Sequence, residues 1–121
     1  MAFKYLLDEN VDKVYQRQFL RPNPSLIMWV VGDPGAPPRG TLDPEILRWC
    51  EEHNFILVTN NRTSMPVHLA EHIVQDGHIP GILILSDKLG IGETIDELTL
   101  IANGSFDDEY QDQIINLPLP Q

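Results

Sequence analysis

The chain opens with an apolar run that stops on carboxylates: Phe3-Lys4-Tyr5-Leu6-Leu7 passes directly into Asp8-Glu9-Asn10. A run this short, rich in aromatic and aliphatic residues and followed by a segment of helical period, is a strand that feeds a helix. It therefore puts carboxylates at the carboxyl edge of a sheet, where open α/β folds collect their ligands. A second run, Phe55-Ile56-Leu57-Val58, ends in Thr59-Asn60-Asn61-Arg62-Thr63. If the two strands are parallel neighbours, their polar tips share one crevice.

The remaining pattern repeats that unit. A helix is expected from Asp12 to Leu20 with Val11, Val14, Tyr15 and Phe19 inward, stopped by Pro22 and Pro24. The continuous run Leu26 to Val31 reads as a strand covered on both faces. The stretch Gly32 to Gly40 is a loop dense in proline and glycine, long enough to suggest a functional role. A second helix opens at Thr41-Leu42-Asp43-Pro44-Glu45, capped by Thr41 or Asp43, with Asn54 as a left-handed terminator. A third runs from Pro66 to Asp76 with Leu69, Ala70, Ile73 and Val74 inward, closed by Gly77. Ile82 to Leu85 is a fourth strand, and a fourth helix buries Ile91, Ile95, Leu98 and Ala102 before Gly104. Ile114-Ile115 fits an edge strand after the acidic cluster Asp107, Asp108, Glu109 and Asp112. Alternating strands and helices imply an α/β fold: one domain over residues 1–121, a three-layer α/β/α sandwich on a mainly parallel sheet of four to five strands.

Charge limits the partners. Eighteen acidic residues against eight basic ones give a net charge of -10. Such a surface repels phosphate backbones as a whole, so any nucleic-acid site must be local. Lys13, Arg17 and Arg21 recur every four positions and read as a solvated helix face. The single cysteine, Cys50, falls at an inward helical position and reads as a small core hydrophobe. No apolar stretch approaches the roughly 18 residues a membrane span needs. The first apolar run is interrupted by Lys4 and stopped by Asp8, unlike a signal peptide, so a cytoplasmic location is expected.

Paired carboxylates at a strand tip suit hard divalent ions held through oxygen. The bland alternative is that Asp8 caps the first helix through local hydrogen bonds. His68-Leu69-Ala70-Glu71-His72 has histidines four apart, a zinc-compatible spacing, but no third ligand or large cleft accompanies it. Gly90-Ile91-Gly92 follows the fourth strand and lacks a third glycine, which excludes a dinucleotide fingerprint. A phosphoreceiver is excluded as well, because Asn60 and Asn61 stand where its acceptor aspartate belongs.

Together, Leu6-Leu7-Asp8-Glu9-Asn10, Asp43-Pro44-Glu45-Ile46-Leu47 and Ile56-Leu57-Val58-Thr59-Asn60-Asn61 resemble the PIN-like domains, the nuclease superfamily that includes toxin ribonucleases of the VapC type. The resemblance covers nearly the whole chain and is strongest to the short bacterial branch. It implies Mg²⁺- or Mn²⁺-dependent hydrolysis of RNA, with Asp8 and Asp43 as metal ligands at the first two acidic positions and Asn61 completing the shell. Asn10, Thr59, Asn60, Arg62 and His68 then fall on the substrate side, with Arg62 as a phosphate clamp. It also implies a homodimer and an antitoxin-like protein partner. The family's third and fourth acids come from a Thr-Asn-Asp-x-Asp pattern, which here reads Thr59-Asn60-Asn61-Arg62-Thr63. Losing both weakens the metal site, so the other expectation is an inactive PIN-like module that binds a regulatory protein.

Overall fold

Side chains alternate along a strand, and here both faces of nearly every strand are apolar, which demands a cover on each side. The computed structural model, which describes residues 3–106 and 108–119 and so leaves Asp107 outside, meets that demand. Strands β1 (Lys4–Leu7), β2 (Ile27–Val30), β3 (Ile56–Thr59), β4 (Ile82–Ile84) and β5 (Ile114–Asn116) form one all-parallel sheet in the order β2-β1-β3-β4-β5. Helices α1 (Val14–Leu20), α2 (Asp43–His53), α3 (Met65–Val74) and α4 (Ile91–Gly104) connect them. On one face Tyr5, Leu7, Ile56, Val58 and Leu83 pack with Phe19 of α1 and Ile95, Leu98 and Ile101 of α4. On the other, Leu6, Leu57, Ile82 and Ile84 pack with Ile46, Leu47 and Cys50 of α2 and Met65 and Leu69 of α3. The result is a three-layer α/β/α sandwich.

The strand order fixes where a ligand site belongs. From β1 the chain moves outward to β2 on one side, then crosses to β3 on the other. Carboxyl ends flanking such a reversal form a crevice, and here those ends are Asp8 and the Thr59–Asn61 segment. The Asp8 N–H donates to the Val58 carbonyl at 2.9 Å, so the two tips are locked in register.

Four local expectations change in the structure. β2 is an edge strand with Met28 and Val30 covered on one face and Trp29 on the other, as expected, but Ile27 at its start is exposed. Its outward backbone groups are nonetheless occupied: Gln16 Nε2 donates to the Met28 carbonyl at 2.8 Å, and the Val30 N–H donates to Asp33 Oδ2 at 2.8 Å. Blocking an open edge in this way discourages strand-to-strand association. On α3 the inward face is Met65, Leu69 and His72, while Ala70 and Ile73 are exposed and Val74 is 83% exposed. With that phase the His72 ring lies over Gly77, where an added Cβ would sit 2.5 Å from Nε2. In α4 Ile91 is exposed and Thr94 is buried in its stead, its hydroxyl donating to the Gly90 carbonyl at 3.0 Å. Neither Thr41 nor Asp43 caps α2: Leu42 holds the cap position and Thr41 Oγ1 donates to the Pro38 carbonyl. Asn54 does terminate α2 in the left-handed region, at φ 59° and ψ 50°.

Candidate functional site

Asp8 follows β1 directly and is 7% exposed. Its Oδ1 accepts the Glu9 N–H at 2.8 Å and its Oδ2 accepts the Thr59 hydroxyl at 2.9 Å. Neither contact is to an N–H of α1, so Asp8 does not cap that helix; Asp12 serves its start, accepting the Val14 N–H at 2.9 Å. Thr59 Oγ1 in turn accepts the Asn61 N–H at 3.1 Å, and Asn61 Nδ2 donates to Asp43 Oδ2 at 3.3 Å. His68 Nε2 lies 3.6 Å from the same Asp43 oxygen. One network, Asp8-Thr59-Asn61-Asp43-His68, thus joins β1, β3, α2 and α3.

Charge is held under tension there. Burial pushes the Asp8 carboxyl above its ordinary range, and the negative charges of Asp43 and Glu9 push the same way. The Thr59 hydroxyl and Glu9 N–H hydrogen bonds pull it back only in part. A buried carboxylate that feels a second negative charge favours a cation or a shared proton. A divalent ion such as Mg²⁺ needs no full protein cage, since it keeps waters and is held by one or two carboxylates together with substrate phosphates. Asp8 and Asp43 fit that mode. Among the described residues no group of three or more His, Cys, Asp and Glu side chains is placed to hold a metal by itself.

The other residues singled out from the sequence take several different places. Thr59 is fully buried with its hydroxyl on Asp8, so it positions the carboxylate and does not face a ligand. Asn61 turns its carbonyl oxygen to the Ser64 N–H at 3.2 Å and its amide to Asp43 and to Ser64 Oγ, which makes it an Asp43 support and not a shell-completing oxygen. Asn10, Asn60 and Arg62 are exposed on the rim, where Asn60 Nδ2 donates to the Asn10 carbonyl at 3.5 Å. His68 sits at Asp43 with its Nδ1 buried and unpartnered. His72 turns away to Glu51, so the two histidines do not share a ligand, and His72 does not pack beside the Asn61 loop. Cys50 is buried, and burial and the Asp8 charge both push its thiol up, as befits an inert core residue.

No family model, curated protein or solved structure matches the chain. The site is therefore read from its own residues. Among the described residues no helix is long and apolar enough to cross a membrane.

The opposite edge of the sheet carries a cluster that sequence reasoning missed. His72 Nε2 lies 2.7 Å from Glu51 Oε1, and His78 Nδ1 lies 2.7 Å from Asp112 Oδ2. Glu51 also accepts the His78 N–H, and Asp112 accepts the Ile79 N–H at 2.8 Å. The clasp ties α2, α3 and the segments before β4 and β5. Its hydrogen bond from the His78 N–H, and the two histidines, hold Glu51 below its ordinary value of 4.5, while Asp112 first, then Glu51 and Asp76, raises His78 above 6.5. A lowered carboxyl stabilises the fold above its unfolded value and loses this as pH falls; a raised histidine stabilises below its unfolded value and loses this as pH rises. The clasp is thus strongest between pH 4.5 and 6.5. An Asp112→Asn variant is expected to show a flatter melting temperature against pH above 6 than wild type, measured by scanning calorimetry.

Proposed function

We propose that the chain is a PIN-like ribonuclease of the toxin-antitoxin type, using Mg²⁺ or Mn²⁺ at a reduced acidic site. The convergence of Asp8 and Asp43 at the topological reversal carries this reading. Asp8 and Asp43 would hold the ion, and the ion would supply an activated water and offset phosphate charge. Thr59 and Asn61 orient the two carboxylates, while Arg62 on the rim suits a phosphate. A homodimer and an antitoxin-like protein partner belong to the same reading. The engaged carbonyl of Asn61 and the absent third and fourth acids favour a second one, a catalytically inactive PIN-like module that binds a regulatory protein.

Calorimetric titration of Mn²⁺ separates them. Wild type is expected to bind with micromolar affinity and to cleave RNA, and Asp8→Asn and Asp43→Asn are each expected to lose both. No heat and no cleavage with wild type would remove the nuclease and leave the binding module.

A further inference from the structure

The two edge strands of the sheet are not finished alike. At β2 the outward backbone groups are taken by Gln16 and Asp33. At β5 they are open. The Ile82 N–H donates to the Gln113 carbonyl at 3.0 Å and the Leu117 N–H to the Ile84 carbonyl at 2.9 Å, so Ile115 turns its backbone toward β4 while Ile114 and Asn116 turn theirs outward. Among the described residues nothing bonds to those two N–H and two C=O groups. β5 holds no proline, lysine or bulge of the kind that closes natural edges; Pro118 comes only after the strand has ended.

The side chains of β5 are left unfinished in the same way. Ile114 packs with the α2–α3 layer and Ile115 with the α1–α4 layer, yet both are only half-buried, because no sixth strand lies beyond them. A strand laid beside β5 would complete both covers.

Charge decides what fits there. From Ile91 to Gln121 the chain has seven acidic residues and no Lys, Arg or His. Asp108 and Glu109 are exposed on the turn into β5, Asp112 stands two residues before the strand, and Glu97 of α4 reaches the segment after it, accepting the Leu119 N–H. On the two connections flanking β4 the positive groups are His78, bonded to Asp112, and Lys88, next to Asp87. A second copy of a chain of net charge -10 would set like charge against like at this edge. A basic segment meets its complement.

We infer that β5 takes a basic, extended peptide segment of a protein partner as a sixth strand, bonded to the backbone of Ile114 and Asn116. Main-chain bonds supply the affinity in such strand addition, and alternate side chains supply the selectivity; here Ile114 and Ile115 favour apolar residues set between the basic ones. β4 separates this edge from the crevice between β1 and β3, and strand addition needs no metal. The inference therefore stands or falls apart from the ribonuclease reading.

The test is residue-resolved amide hydrogen exchange, by NMR and in EDTA, with and without a synthetic nine-residue peptide that alternates lysine with valine. At saturation the Ile114 and Asn116 amides are expected to exchange at least tenfold more slowly, with those of β2 unchanged. In fluorescence anisotropy a peptide of the same length and charge with proline for valine, which cannot donate along a strand, is expected to bind at least tenfold more weakly. Asn116→Pro removes an outward donor and no bond of the β4 ladder, and should weaken the lysine–valine peptide by a similar factor. Asp108→Lys should weaken it severalfold, whereas Glu45→Lys, the same charge change at the start of α2, should match wild type; circular dichroism checks that all variants are folded. Absence of binding, equal binding by the proline peptide, equal loss in Glu45→Lys, unchanged exchange at Ile114 and Asn116, or self-association of the peptide-free protein through β5 would overturn the inference.

Discussion

An Asp8→Asn protein is expected to melt a few degrees above wild type at neutral pH while losing its response to Mn²⁺. Asp8 is 7% exposed, and its carboxylate is disfavoured first by burial and then by the charges of Asp43 and Glu9. Asparagine removes that charge and keeps both contacts, its oxygen accepting the Glu9 N–H and its amide donating to Thr59 Oγ1; the Thr59 hydroxyl proton then gives up its acceptor, which limits the gain. Relieving a strained functional residue typically gains about 1 kcal/mol, or about 3–6 °C for a domain of this size. The pH dependence gives a second check. A carboxyl raised in the fold contributes stability that is fully present below its ordinary value of 3.8 and is lost as pH rises through the folded value. The advantage of the asparagine variant should therefore be absent in acid, grow above pH 4 and level off by neutrality. If Asp8→Asn melts lower than wild type at every pH, Asp8 is a structural hub, and the site reading loses its central residue.

That the crevice was legible at all follows from strand physics. Asp8 and Thr59 each end an apolar run, and parallel neighbours bring strand ends together without any further information. Asp43 entered through the resemblance alone; Pro44 beside it marks a helix start, and the structure puts that start at the same edge because α2 leaves the sheet after β2. What the residues Asp8, Asp43 and Asn61 could not reveal was the direction of their hydrogen bonds. Asn61 is close to Asp43 as expected, yet its oxygen serves Ser64, a choice made by the β3–α3 turn.

The phase of α3 was misread for a related reason. Apolar spacing favoured Ile73 and Val74, but the short helix packs on α2 through Met65, Leu69 and His72. A buried histidine is inexpensive there because Glu51 accepts or pairs with its Nε2, and no hydropathy scale sees a partner 21 residues away. The same blindness hid His78 with Asp112, a contact between loops whose positions only the folded sheet defines.

Phe19→Ala is expected to cost about 3–5 kcal/mol. α1 has seven residues, Val14–Leu20, well under the roughly 12–15 that give a helix stability of its own in water. It has no acidic residue in its first turn, its N-cap Lys13 makes no side-chain cap and Asp12 serves one N–H, that of Val14, so most of its stability must come from packing. Phe19 is its one buried residue, and the ring stands edge-on to Tyr5 with centroids 5.5 Å apart and planes at 78°. The Tyr5 hydroxyl donates to the Leu98 carbonyl at 2.8 Å, so the cavity would open inside the α1-β1-α4 junction, where rigid neighbours cannot collapse to fill it. Asn23 Nδ2 bonds to the Phe19 carbonyl and to Thr99 Oγ1 at 3.0 and 2.9 Å and survives the change, which limits how far the helix end can shift. Denaturant titration should show a lowered midpoint with little change in slope if α1 stays docked, and a lowered slope if it detaches. Phe19→Leu, which keeps an apolar side chain in place, should recover most of the loss. A cost below 1 kcal/mol for the alanine variant would mean that α1 is held by its surface contacts and not by this ring.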